Sequence, residues 1–112
     1  EVIVWGTGKA TREFCHAKDA ARGIVLATMN YDGREPVNIG SGNEISIFDL
    51  ANLVKEAVGF NGNIVWDAEK PDGQPRRCLD VSLAKDLYGF EAEIDFKQGI
   101  QETVSWYLQN RN

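Results

Sequence analysis

Between Ile47 and Val58 the apolar residues Ile47, Leu50, Ala51, Val54, Ala57 and Val58 fall at offsets 0, 3, 4, 7, 10 and 11. Only a helix puts all six on one face, because a helix repeats every ~3.6 residues and a strand every ~2. Ser46 stands at the N-cap with Asp49 three residues on, a variant of the capping box, and Gly59 follows at the C-terminal stop position. On either side lie short β-like runs: Val2-Ile3-Val4 running into Gly6, residues 36–40, and Ile64-Val65-Trp66. Short strands alternating with three or four helices make the class α/β, or α+β if the strands split into separate small sheets.

The rest of the chain follows the same grammar. Residues 11–16 read as a second extended run, with Phe14 and Cys15 suited to a strand buried on both faces. Residues 18–29 read as a helix with Ala17, Ala20, Ala21, Ile24 and Thr28 on one face, widened by Val25, Leu26 and Met29, and with Asp19 in its first turn. Cys78-Leu79 reads as a brief strand. Ser82 is placed as the cap of a short helix closed by Gly89, and a last helix over 97–109 is expected to bury Ile100, Val104, Tyr107 and Leu108.

With 112 residues the chain has room for one small domain. Twelve basic against seventeen acidic residues give a net charge of -5, which argues against a general nucleic-acid surface. No apolar run approaches the ~20 residues that cross a bilayer, so no membrane partner is expected. Cys15 and Cys78 lack metal-like spacing and are expected to be buried or inert thiols of a cytoplasmic protein. Glu1-Val2-Ile3-Val4 starts like the middle of a strand, and the sole methionine is Met29, so the chain reads as a segment of a longer protein.

Two stretches carry charge and turn chemistry together. In Trp5-Gly6-Thr7-Gly8-Lys9-Ala10-Thr11-Arg12, the glycine pair lacks the third glycine of a dinucleotide loop, and Lys9-Ala10-Thr11 does not complete a Walker loop. It is either a plain tight turn or one that brings an indole able to stack on a ring together with a guanidinium able to grip a phosphate. The second stretch, residues 70–77, holds Lys70, Arg76 and Arg77 with Asp72 between them. It is either a solvated loop or a lid whose cations meet a diphosphate while Asp72 accepts from hydroxyls. His16 is the lone histidine and reads as structural rather than catalytic. No Ser sits in a nucleophile-elbow sequence.

Taken in order, Trp5-Gly6-Thr7-Gly8-x-x-x-Arg12-Glu13-Phe14-x-His16-x-x-Asp19-Ala20, then Pro36-Val37-Asn38-Ile39-Gly40-Ser41-Gly42 with Ile45-Ser46-Ile47, then Asp80-Val81-Ser82 with Gly89-Phe90 and Gly99-Ile100-x-Glu102-Thr103, resemble the C-terminal part of extended short-chain dehydrogenases/reductases of the NAD-dependent epimerase/dehydratase family. The run Lys70-Pro71-Asp72-Gly73-x-Pro75-Arg76 is most similar to the GDP-L-fucose synthase group within it. The resemblance implies substrate-binding roles for Trp5, Arg12, Asp72 and Arg77, the last standing where a lysine is usual. Lys18 replaces an acidic residue of the family pattern. The resemblance also implies NADP or NAD as cofactor of the intact enzyme, with none held by this segment. The cofactor glycine motif, the catalytic Ser, the Tyr-x-x-x-Lys pair and the Cys/His acid-base residues of the family precede the matching region. Here Tyr31, Tyr88 and Tyr107 are followed four residues on by Glu35, Ala92 and Arg111.

Residues 1–112 are therefore expected to be a single substrate-binding domain fragment, inactive alone. Its partners would be a nucleotide sugar and an upstream Rossmann half of the same protein. The apolar face of helix 18–29, packed in the whole protein on that half, would drive self-association as a homo-oligomer when the segment is isolated. A free-standing nucleotide-sugar-binding module without catalysis is the alternative, and a purely structural or interaction domain is a third reading.

Overall fold

The helix written into Ile47–Val58 is present over that span, and its ends show why. Ser46 Oγ accepts a hydrogen bond from the Asp49 amide at 3.0 Å and donates one to Asp49 Oδ2 at 2.8 Å. Gly59 closes the helix in the left-handed conformation, φ 70°. A computed structural model describes residues 1–111. The elements are β1 (Val2–Trp5), β2 (Thr11–Glu13), α1 (Ala17–Asn30), β3 (Glu44–Ser46), α2 (Ile47–Val58), β4 (Ile64–Asp67), β5 (Arg76–Arg77), α3 (Ser82–Tyr88) and α4 (Phe96–Asn110). Short strands and four helices make the class α/β, with the strands divided between two small sheets.

The chain forms two compact units. The first comprises Glu1–Arg12, Ile45–Arg77 and the residues from Asp95 on. Its β1 and β4 pair in parallel, Val2 opposite Ile64 through Trp5 opposite Asp67. A second sheet has the order β3-β2-β5, in which β2 and β5 run parallel with Thr11 opposite Arg76 and Arg12 opposite Arg77. Helix α2 packs on α4, where the Lys97 ammonium reaches Glu56 at 2.8 Å. Ala10 is buried here, and Phe48 stacks on Trp66 with ring centroids 5.7 Å apart.

The second unit comprises Glu13–Glu44 and Cys78–Ile94, with α1 packed on α3. Its centre is Phe90, 1% exposed, beside the buried Ala84. Gly23 lets α1 approach that centre closely, since a Cβ there would lie 2.8 Å from Ile39 Cγ2 and 3.1 Å from the Phe90 ring. The Arg22 guanidinium lies over the Phe90 ring, 5.0 Å from its centroid. Asp19 is buried and accepts from the amides of Glu93 and Ile94, both at 3.1 Å. The Glu13 carboxylate accepts from the amides of Gly42 and Leu79, the latter at 3.0 Å, and so ties three stretches of chain together.

Several expectations are corrected. Helix α1 is not among them: the apolar face expected to pack outside this segment is exposed, with Ile24, Val25 and Met29 at 60%, 56% and 76%. The buried residues are Asp19 and Gly23, because the Asp19 carboxylate and the close approach at Gly23 orient the helix, not its largest side chains. Strand β2 stops at Glu13 and leaves Phe14 exposed. Residues 36–40 form no strand. Pro36 has no N–H to give a ladder, Asn38 Nδ2 donates instead to the Asp80 carbonyl at 3.4 Å, and the Glu13 carboxylate fills the space beside Gly40. The short strand expected at Cys78-Leu79 falls two residues earlier, at Arg76–Arg77. Ser82 is the first residue of α3, not its cap: the N-cap is Val81, without a side-chain cap, and Asp80 Oδ1 accepts from the Ser82 amide at 3.0 Å and its hydroxyl at 2.6 Å. In α4 the buried residue is Gly99, while Tyr107 and Leu108 are exposed.

Candidate functional site

The residues singled out for binding all belong to the first unit, and one loop joins them. Trp5 closes β1 with its indole 68% exposed. The chain then turns through Gly6 and Gly8, both at positive φ (89° and 77°). Each glycine is needed for a different neighbour. A Cβ on Gly6 would fall on the Asp72 carboxylate, and a Cβ on Gly8 would lie 2.9 Å from the Trp66 ring and 3.0 Å from Phe48 Cβ. The turn is thus packed between the 70–77 loop and an aromatic pair.

Asp72 holds the loop to the turn. Its Oδ1 accepts from the Thr7 amide at 2.6 Å and its Oδ2 from the Thr7 hydroxyl at 2.7 Å. These two bonds, the hydroxyl's the stronger influence, hold the Asp72 carboxyl below the usual carboxylate range, with the Lys9 charge adding a smaller pull. The Gly8 amide adds a weaker backbone bond to the same carboxylate.

Arg12 fixes the far end of the same loop. Its Nη1 donates to the Thr11 carbonyl at 2.6 Å and to the Gln74 carbonyl at 2.7 Å. Nη2 lies 3.7 Å from where a Gly73 Cβ would be. Anchored through one nitrogen, the guanidinium retains the fork formed by Nη2 and Nε for a planar acceptor such as a phosphate. Arg77 sits opposite Arg12 in the β2–β5 register, on an exposed strand. At the near end of the loop the Lys70 ammonium lies 5.7 Å from the centroid of the Trp5 indole.

The fold therefore brings Asp72 and Lys70 to the Trp5–Thr7 stretch, and Gln74 and Arg77 to Arg12. Trp5 and Arg12 stand at opposite ends of the turn and each meets a different part of the loop. The same geometry does not suit a dinucleotide at the glycine pair. The Thr7 amide that would face a pyrophosphate is committed to Asp72, and the space beside Gly6 is filled by that carboxylate. Thr7 and the Gln74 carbonyl were missed in the sequence reading. A threonine between two glycines was the available signal for the first. A main-chain carbonyl leaves no signal at all.

Elsewhere, His16 caps α1, its Nδ1 accepting from the Lys18 amide at 3.1 Å. Burial pushes the Cys15 thiol up, helped by Asp19 and Glu13, so it is a poor thiolate. Neither Cys15 nor Cys78 is in a disulfide. Among the described residues no group of three or more His, Cys, Asp or Glu side chains is placed to hold a metal ion, and no helix is long and apolar enough to cross a membrane.

Residues 1–40 match the model of the NAD dependent epimerase/dehydratase family. The chain is 47% identical over 110 residues to the probable GDP-L-fucose synthase 1 of Oryza sativa subsp. japonica, covering 98% of this chain and 33% of that protein. Its fold matches a GDP-L-fucose synthetase from Naegleria fowleri bound to NADP, with TM-score 0.90 and 35% identity over 96% of this chain and 34% of that one. It also matches the UDP-glucose 4-epimerase of Thermotoga maritima with UDP-glucose, with TM-score 0.87 and 27% identity over 100% of this chain and 36% of that one. The chain spans about a third of the length of these proteins and corresponds to their C-terminal part.

Proposed function

We propose that this chain, a GDP-L-fucose synthase-like segment of the NAD dependent epimerase/dehydratase family, is the nucleotide-sugar-binding wall of an NADP-dependent epimerase/reductase. The observation that carries the reading is the loop of residues 70–77, which docks on the Trp5–Arg12 turn through Asp72 and Gln74. In that arrangement the exposed Trp5 indole stacks on the base or ribose of a GDP-sugar. The free fork of Arg12 meets the diphosphate, with Lys70 and Arg77 adding positive charge. Asp72 accepts from sugar or ribose hydroxyls.

The 112 residues act as one substrate-binding fragment. In the intact protein the overall reaction is epimerisation at C3 and C5 of the sugar followed by reduction of its C4 ketone, in the cytoplasm. NADP, which the Naegleria fowleri relative binds, is assigned to a part of the protein outside this segment. No residue here is given a proton-transfer role, and the segment alone is inactive.

Calorimetric titration of the chain with a GDP-sugar and with a UDP-sugar tests this. Saturable binding that favours the GDP-sugar is the expected result. Absence of saturable binding by both would leave a structural or interaction domain.

A further inference from the structure

We propose that Thr7 is a positioning residue of this site: it sets the place of the 70–77 loop by holding both oxygens of Asp72, and so aligns Lys70 and Arg77 with the phosphates of the ligand. The inference rests on the nucleotide-sugar reading above and assigns a role to a residue that reading does not use.

The geometry is specific. Thr7 gives Asp72 one bond from its amide, 2.6 Å to Oδ1, and one from its hydroxyl, 2.7 Å to Oδ2. Two donors from one residue onto the two oxygens of one carboxylate fix its plane as well as its position. The side chain of Thr7 is itself held, because its oxygen accepts from the Lys9 amide at 3.3 Å. Gly6 leaves room for the carboxylate and for nothing larger beside it. Asp72 is two residues from Lys70 and five from Arg77, and Gly73 follows it at φ 78°. The loop is thus pinned near its middle by Thr7 and further along by Arg12 on the Gln74 carbonyl.

The hydroxyl separates the role of Thr7 from that of any residue in a turn. The amide bond to Asp72 survives every substitution at position 7 except proline, whereas the hydroxyl bond survives only in serine. Valine keeps the β-branched shape and removes the donor. Thr7 is the largest influence on Asp72, through its hydroxyl and then its amide; the Gly8 amide and the Lys9 charge pull the same way by less. Removing the hydroxyl therefore raises the Asp72 pKa.

The test compares the chain with its Thr7→Ser and Thr7→Val variants in two measurements. The first is carboxyl-detected NMR titration of Asp72 without ligand. The second is calorimetry with GDP. We expect Thr7→Val to weaken GDP binding about tenfold, the scale of losing one hydrogen bond to a charged group, and to move the Asp72 titration upward. Thr7→Ser should restore both to near the parent values. Thr7→Val with parental GDP affinity overturns the proposal, and so does an unmoved Asp72 titration. If the parent chain binds no GDP, the functional reading falls. The ligand-free titration then decides by itself whether Thr7 holds Asp72, and an unmoved Asp72 overturns that as well.

Discussion

The Lys70 ammonium sits over the face of the Trp5 indole, 5.7 Å from its centroid, on the side chain that is otherwise the most exposed aromatic of the chain. An exposed cation–π contact of this kind contributes about 0.5–1 kcal/mol. Lys70→Met should shift the Trp5 indole N–H resonance while lowering the thermal midpoint by less than about 5 °C. An unmoved indole resonance would show that the contact is not formed in solution.

Gly6 lies where no other residue fits. Its φ of 89° disfavours a side chain, and a Cβ there would meet the Asp72 carboxylate. Gly6→Ala should destabilise the chain by about 1–3 kcal/mol in urea unfolding and abolish nucleotide binding, because the 70–77 loop must move away. A variant with parental stability and parental binding would contradict the docked loop.

Asp19 links α1 to the segment before α4. Burial pushes its carboxyl up, but the Glu93 and Ile94 amides and the Arg22 guanidinium outweigh burial and hold it below the usual range. A depressed folded pKa stabilises the fold above the unfolded value and loses that contribution as pH falls through the folded value. Urea midpoints should therefore fall between about pH 5 and pH 2, and Asp19→Asn should cost about 2 kcal/mol at neutral pH. That variant should also flatten the acid loss. A midpoint as pH-sensitive in Asp19→Asn as in the parent would exclude this residue as its source.

The exposed face of α1 carries Ile24, Val25 and Met29, and apolar surface of this kind drives association. Sedimentation velocity should show concentration-dependent self-association of the isolated chain, weakened by Val25→Lys. A monomer at all concentrations would rule that face out as sticky.

How much of this was readable beforehand differs between elements for physical reasons. Helix α2 was legible because pattern, cap and stop agree locally: six apolar positions, Ser46 with Asp49, and Gly59. Helix α1 was legible as a helix with an apolar face left open, but the contacts that orient it were not. Which face turns inward depends on amides at Glu93 and Ile94, more than seventy residues away in sequence. The four residues proposed for binding, Trp5, Arg12, Asp72 and Arg77, were readable as types able to hold a nucleotide sugar. Their grouping around one docked loop was not, since it rests on a Thr7–Asp72 pair separated by 65 residues and on the carbonyl of Gln74. Long-range hydrogen bonds leave no local pattern in a sequence, so caps and turns could be read and docking could not.

The central claim is that the Trp5–Arg12 turn and the 70–77 loop form one nucleotide-binding surface. Chemical-shift mapping of a GDP titration on the isotope-labelled chain tests it most directly. The Trp5 indole, the Arg12 guanidinium and the amides of residues 70–77 should shift together and saturate at a single concentration. Saturating shifts confined to α1 and α3, or no saturating shifts at all, would contradict it.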